Sequence, residues 1–299
     1  MDEKSPGRLA VFNFLLVLLA APGCGQAQSG TAVKSSHAAD AITSHIDLSA
    51  YGTIRGQVNW NGEIPNIADY EILPNLLGGE VFHKKQTRPN PNAPVINSLD
   101  RGVAGAVVFL RGVDTSRAKP WSCKAVTVEQ RDGQFHVLQD GVDSRIGFVR
   151  RGERIKMVSR DRFLYCLHAD GVEFFSLIFP DPDQPLERSL NRSGTVELMS
   201  GNGYFWMRAY LFVADHPYYA RTDAHGYFDL RDVPPGRYDL VCWMSNWSEA
   251  RHDRDPESRL ISRMYFRPPV EVAQSVIVNA KESRRVDFFI SLKAFQGGG

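Results

Sequence analysis

The first residues that could do chemistry are two histidines with acidic neighbours. His216 follows Asp215, and His225 lies two residues after Asp223, a proximity that would suit acid–base work. No Gly-x-Ser-x-Gly elbow accompanies them, and nothing in the pattern specifies a catalytic triad. The plainer reading of His216 is a hydrogen-bonding bridge between strands. Asp181 and Asp183 alternate with proline in Phe179-Pro180-Asp181-Pro182-Asp183. Paired acids can hold calcium, but EF-hand spacing is absent and the prolines favour an exposed turn. The sequence has no P-loop, dinucleotide fingerprint or HExxH. Its four cysteines, Cys24, Cys123, Cys166 and Cys242, form no CxxC pair, which excludes a zinc ribbon and a thioredoxin-type motif. Setting Cys24 aside leaves three, an odd number that does not suggest a disulfide framework. A single pair among them stays open, since export would permit one.

The elements that must position these residues are short strands. The 299 residues are 43% hydrophobic and 23% charged, which excludes a largely disordered chain. Lysine and arginine (35) barely exceed aspartate and glutamate (34), so the basic excess of a nucleic-acid binder is missing. Glycine (25) and proline (17) are plentiful while helical apolar periodicity is scarce, a balance that points to many strands joined by tight turns.

Residues 9–21, LAVFNFLLVLLAA, form an apolar run of about 13 residues, short of the roughly 20 a membrane span needs and suited to a signal-peptide core. The run ends in Ala21-Pro22-Gly23-Cys24, which resembles a lipoprotein cleavage site with Cys24 as the lipidated residue. Ala21 replaces the usual leucine there, and an ordinary secretory signal cut after Ala27 is the alternative. Residues 1–23 are therefore expected to be the export signal, and residues 24–49, rich in small residues, a flexible tether.

From residue 51 the pattern alternates. Residues 53–60 read as a strand ending at the turn Asn61-Gly62. Residues 65–100 are irregular and proline-containing. Residues 105–110, 125–130, 134–138, 145–149, 154–159, 174–179 and 195–199 read as strands, with Asp132-Gly133 as a hairpin turn. A second series covers residues 208–214, 218–222, 227–230, 237–243, 270–278 and 285–290, while the charged stretch 249–263 reads as a solvated loop or short helix. Strands at this spacing predict an all-β fold of sandwich or barrel type.

Two stretches carry a family resemblance. Thr222-Asp223-Ala224-His225-Gly226-Tyr227-Phe228-Asp229-Leu230, followed by Val233-Pro234-Pro235-Gly236-Arg237-Tyr238-Asp239-Leu240, resembles the carboxypeptidase regulatory-like (transthyretin-like) β-sandwich module. That likeness implies a fold and no particular chemistry. Asp223 and Gly226 would close a hairpin there, with Gly226 at the positive-φ position. The second comprises residues 159–168 and Gly201-Asn202-Gly203-Tyr204-Phe205-Trp206-Met207-Arg208-Ala209-Tyr210, with residues 102–112 upstream. It is similar to exported bacterial cupredoxin-like proteins, in which a His-x-x-His pair and a Cys-x-x-His-x-x-Met run hold copper and a transthyretin-like module follows. The resemblance implies two β-sandwich domains, at residues 50–205 and 206–293, and a disordered tail at 294–299.

The implied ligands are largely lost. Tyr165 stands at the first histidine position, Gly201 at the cysteine position and Tyr204 at the next histidine position, while His168 and Met207 are retained. A blue-type centre needs two imidazoles and a thiolate, with methionine as weak axial partner. Cys166, two residues before His168, would share its face on one strand, with Tyr165 facing the other way. Cys166, His168 and Met207 are thus the candidate copper set, against a purely structural role for each.

Aromatic residues crowd the join between the modules. Most read as core, and the sharper alternative is an exposed platform for a glycan or protein, formed by Trp247, Trp243, Tyr218 and Tyr219. The sequence therefore predicts a non-catalytic, exported binding or structural protein of the cell envelope, periplasmic or surface-bound, with a vestigial copper site and no cofactor. Its expected partners are an envelope glycan or protein and, if Cys24 is modified, the membrane; nucleic acid is not expected. The alternative is copper binding or electron transfer in the periplasm through Cys166, His168 and Met207.

Overall fold

The structure is a computed structural model and describes residues 47–72, 86–162, 164–257, 259 and 261–296. The expected export signal, Cys24 and all but the end of the tether lie outside the described residues. No helix among the described residues is long and apolar enough to cross a membrane.

Strands dominate. In chain order the first are β1 (Gly52–Trp60), β2 (Tyr70–Ile72), β3 (Gln86–Arg88), β4 (Val95–Ile96), β5 (Val103–Ala104) and β6 (Val107–Arg111). Next come β7 (Thr127–Arg131), β8 (Gln134–Gln139), β9 (Val142–Ser144), β10 (Ile146–Arg150), β11 (Arg154–Ser159) and β12 (Tyr165–Gly171). β13 (Phe175–Phe179), β14 (Leu186–Ser189), β15 (Gly194–Ser200), β16 (Arg208–Ala214), β17 (Tyr219–Arg221) and β18 (Tyr227–Val233) follow. The last are β19 (Gly236–Met244), β20 (Glu249–Arg254), β21 (Ile261–Phe266), β22 (Val270–Val278), β23 (Ser283–Arg285) and β24 (Phe288–Ile290), before a short helix, α1 (Leu292–Gln296).

They build two sandwiches, as the all-β expectation requires. In the first, β1 pairs with β18, β23 and β24, and the opposing sheet runs β17-β6-β19-β22. Its core includes Ile54, Val58, Leu110, Leu240 and Phe288. In the second, a sheet ordered β10-β16-β15-β12-β13 faces one ordered β14-β11-β7-β8-β9, around Val137, Ile155, Leu167, Leu198 and Leu211. The expected split at 205/206 does not follow the sheets. β1 and β6 pair with strands that come after it, and β16 pairs with β10 and β15 before it.

The join is a third apolar cluster. β16 is buried along its whole length because its two faces have different owners. Ala209, Leu211 and Val213 enter the second core, while Tyr210 and Phe212 meet Val107, Phe109, Val241 and Trp243. Trp243 receives Tyr210 and Phe212 edge-on, each ring centroid 5.0 Å away. Burying an aromatic side chain of this size is worth about 1.5–3 kcal/mol, so the seam binds the sandwiches firmly.

Local chemistry explains the turns. Asp132 and Gly133 have φ of 54° and 65°, the pair of positive values a tight β7–β8 turn demands. Gly226 has φ of 79°, and a Cβ there would sit 2.4 Å from the Val58 carbonyl oxygen. The 223–226 turn is not the expected hairpin, because β17 pairs with β6 and β18 with β1, so the turn carries the chain between sheets.

Two further expectations are corrected. Residues 249–263 contain a β20–β21 antiparallel ribbon rather than a loop or helix. Its charged side chains pair on the surface, with Arg251 bonded to Asp253 and its guanidinium 3.7 Å from the Tyr265 ring centroid. The tail from residue 294 begins within α1, where Phe295 is buried against Trp247 and Trp60.

Candidate functional site

β12 sorts its side chains by alternation. Tyr165, Leu167 and Ala169 are fully buried in the second core, while Cys166 and His168 lie half-buried on the outer face. Pairing extends that outer face across the sheet. His168 stands beside Ser176 of β13 and Met199 of β15, and Met199 stands beside Arg208 of β16. Directly opposed residues share a face, so these four form one row.

Gly201 closes the row's end. Its amide donates to the Cys166 carbonyl at 2.7 Å. A Cβ at this position would lie 2.6 Å from His168 Nε2 and 2.8 Å from Cys166 Sγ. The absence of a side chain therefore leaves a small space that a thiol and an imidazole both face. His168 Nδ1 is 2.6 Å from Ser176 Oγ, which orients the ring with Nε2 toward that space. The adjoining cavity of about 100 Å³ is lined by His168, Met199, Gly201, Phe205, Arg208 and Met264. Arg208 donates to Glu197 Oε1 at 2.8 Å and to the Met264 carbonyl, tying the β20–β21 ribbon over this face. Burial pushes the Cys166 thiol above its ordinary pKa, which favours the neutral thiol.

The candidate copper set of the alternative reading is not brought together. Met207 is 1% exposed in the second core, behind the sheet that carries Cys166 and His168 on its other face. Tyr165 and Tyr204 meet edge to face in the same core, 5.8 Å between centroids, and the Tyr165 hydroxyl donates to Asp161 at 2.9 Å. Burial, with Asp161 beside it, drives the Tyr165 phenol pKa far up. Tyr165, Tyr204 and Met207 thus lie together in the second core, apart from Cys166 and His168. Among the described residues no group of three or more histidine, cysteine, aspartate or glutamate side chains could hold a metal. Met199 was missed by sequence reasoning, because only the β12–β15 register brings it beside His168.

The remaining candidates are dispersed. Trp243 lies in the seam, and Tyr218 is buried with its hydroxyl donating to the Asp232 carbonyl at 2.7 Å. Tyr219 stacks on Phe109 at 4.9 Å, and Trp247 is wedged between Trp60 and Phe295. The four do not form one exposed platform. Asp215 binds Arg151 and Ser193, while His216 stacks on Tyr219, and burial lowers the His216 pKa. His225 pairs with Asp100 at 2.5 Å, and Asp223 caps the backbone amides of His225 and Tyr227. Asp183 pairs with Arg160. Cys123, Cys166 and Cys242 are all free thiols, and burial pushes the Cys242 thiol to a pKa of about 12.

No family model matches this sequence, and no curated protein matches it. Solved structures do show partial similarity. A reduced amicyanin variant is 16% identical over 30% of this chain and 82% of its own, with a TM-score of 0.24. A second amicyanin variant, in its Cu(I) form, is 13% identical over 36% of this chain and 98% of its own, with a TM-score of 0.25. A copper-containing nitrite reductase from Thermus scotoductus SA-01 is 14% identical over 32% of this chain and 24% of its own, with a TM-score of 0.25. Scores this low carry no argument about chemistry, and what this chain can do rests on its own residues.

Proposed function

We propose that this chain is a non-catalytic binding or structural β-sandwich protein, exported to the cell envelope and held there through Cys24, whose cupredoxin-like half keeps only a vestige of a copper site. One observation carries the reading. Tyr165, Tyr204 and Met207, which occupy the resemblance-derived ligand positions, are packed into the second core, and Gly201 offers no donor at all. A core side chain cannot turn toward a metal without opening a cavity behind it. The partner under this reading is an envelope glycan or protein, and no nucleic acid is involved, in keeping with the balanced charge.

A second reading is favoured by the Gly201 space. Cys166, His168 and Met199 offer a thiol, an imidazole and a thioether on one sheet face, a donor set suited to Cu(I). Such a site would buffer or pass on copper. The raised thiol pKa weighs against it, since a metal must first displace that proton.

The two readings part on metal content. The purified full chain is incubated with Cu(I) or Cu(II), desalted and assayed for metal. The first reading predicts copper well below one per chain, with no change in His168→Ala. One copper per chain, lost in both His168→Ala and Met199→Ala, would establish the second instead.

A further inference from the structure

Between the two sandwiches, at the β9–β10 link, lies a cavity of about 330 Å³, a volume within the range of small-molecule sites. Its polar lining is nearly all spoken for. Asn92 Oδ1 accepts from the Tyr210 hydroxyl at 3.0 Å, and Asn92 Nδ2 donates to the Asn246 carbonyl at 3.1 Å. Thr222 Oγ1 accepts from the Ala106 amide and donates to the Val103 carbonyl. Asp143 holds Arg131 and His136, and Asp223 caps its own turn.

Two cations on the same wall are treated differently. Arg221 Nη1 donates to neutral acceptors, the Ser144 hydroxyl and the Ile146 carbonyl, and among the described residues no carboxylate pairs with it. Arg145 has no carboxylate partner among the described residues either, and its Nη1 is buried with no hydrogen-bond partner among them. An arginine donor left unpaired out of water costs several times what an ordinary hydrogen bond returns. Guanidinium groups do not deprotonate in proteins, so the charge stays. An anion would answer both the free donor and the uncompensated charge. Much of the rest of the wall is apolar, including Val142, Ile146 and Met244. Asp143 and Asp223 at the same cavity disfavour a ligand of two or more negative charges.

We infer that this cavity binds a small monoanionic carboxylate with an apolar body, its carboxylate bonded to Arg145 with Arg221 beside it and its hydrocarbon part against Val142, Ile146 and Met244. A planar carboxylate matches the guanidinium fork. The inference names a ligand class for the binding reading above, but it uses none of the copper positions. Stoichiometric copper would sink that reading and leave the present inference to be decided by the following experiment.

Hexanoate, acetate, inorganic phosphate and the uncharged hexanol are titrated into the full chain by isothermal calorimetry and by thermal denaturation. Hexanoate is expected to bind one per chain and, near saturation, to raise Tm by about 5 °C or more, with acetate and phosphate weaker and hexanol inert. Arg145→Met keeps the stem and removes the unpaired charge. Without ligand it should melt at or above the parent, and it should lose the hexanoate shift. Val142→Trp fills the cavity from its mouth and should lose the shift too, which keeps the test open if the first variant folds poorly. No hexanoate binding by the parent, tighter binding of phosphate than of hexanoate, or an unchanged shift in either folded variant would overturn the proposal.

Discussion

The two faces of β12 carry residues of opposite fates. On the inner face Tyr165 sits under Tyr204 and near Met207, with no exposed surface and a hydroxyl committed to Asp161. On the outer face Cys166 and His168 keep partial exposure, and a glycine leaves room beside them. The aromatic and thioether groups on the inner face are packing, while the soft donors on the outer face keep partial exposure. Adjacent residues in a strand can thus belong to different environments, and sequence proximity says little about which donors converge.

That contrast can be broken on the inner face first. Met207→Ala removes a fully buried side chain and should cost about 2–5 kcal/mol, read as a lower midpoint in urea with an unchanged slope. A loss below about 1 kcal/mol would mean that Met207 is not core. On the outer face, Gly201→Ala should cost about 1–3 kcal/mol, because the new methyl must push aside His168 and Cys166. The same substitution should slow modification of Cys166 by a thiol reagent, whereas unchanged reactivity would show that the space is not shared. The smallest effect is a pH dependence elsewhere in the molecule. Burial lowers the His216 pKa below 6.5, so below that pH the unfolded chain takes up a proton that the folded chain resists. His216 should therefore reduce stability as pH falls from about 6.5. Asp100 raises the His225 pKa, so that contribution is full below 6.5 and is lost as pH rises through the raised value. Tm profiles of His216→Phe and Asp100→Asn between pH 5 and 8 should flatten on the acid and alkaline sides respectively. Identical profiles would refute both assignments.

Much of the fold was legible because local chemistry wrote it. Asp132-Gly133 announced its turn through two residues that tolerate positive φ, and residues 208–214 read as a strand, although their burial on both faces did not show in the sequence. What the sequence could not convey was pairing. β1 and β6 leave the N-terminal half to join strands near the C-terminus, a long-range choice with no local signature. Residues 249–263 looked like a loop because their charges hid the alternation, yet an exposed two-stranded ribbon needs no apolar face. The candidate site shows the same division. That Cys166 and His168 share a face followed from period two. Met199 joined them only through register, and the unpaired Arg145 became visible only once every neighbouring acid had been assigned to another partner.

Under the proposed function, Tyr165, Tyr204 and Met207 serve packing and the chain holds no copper. Thermal denaturation of the full chain, Met207→Ala and His168→Ala, each with and without equimolar Cu(I), tests it most directly. The account predicts that Met207→Ala melts about 5–15 °C below the parent, that His168→Ala stays within a few degrees of it, and that copper shifts none of the three. A copper-dependent rise in the parent's Tm that vanishes in His168→Ala would contradict it.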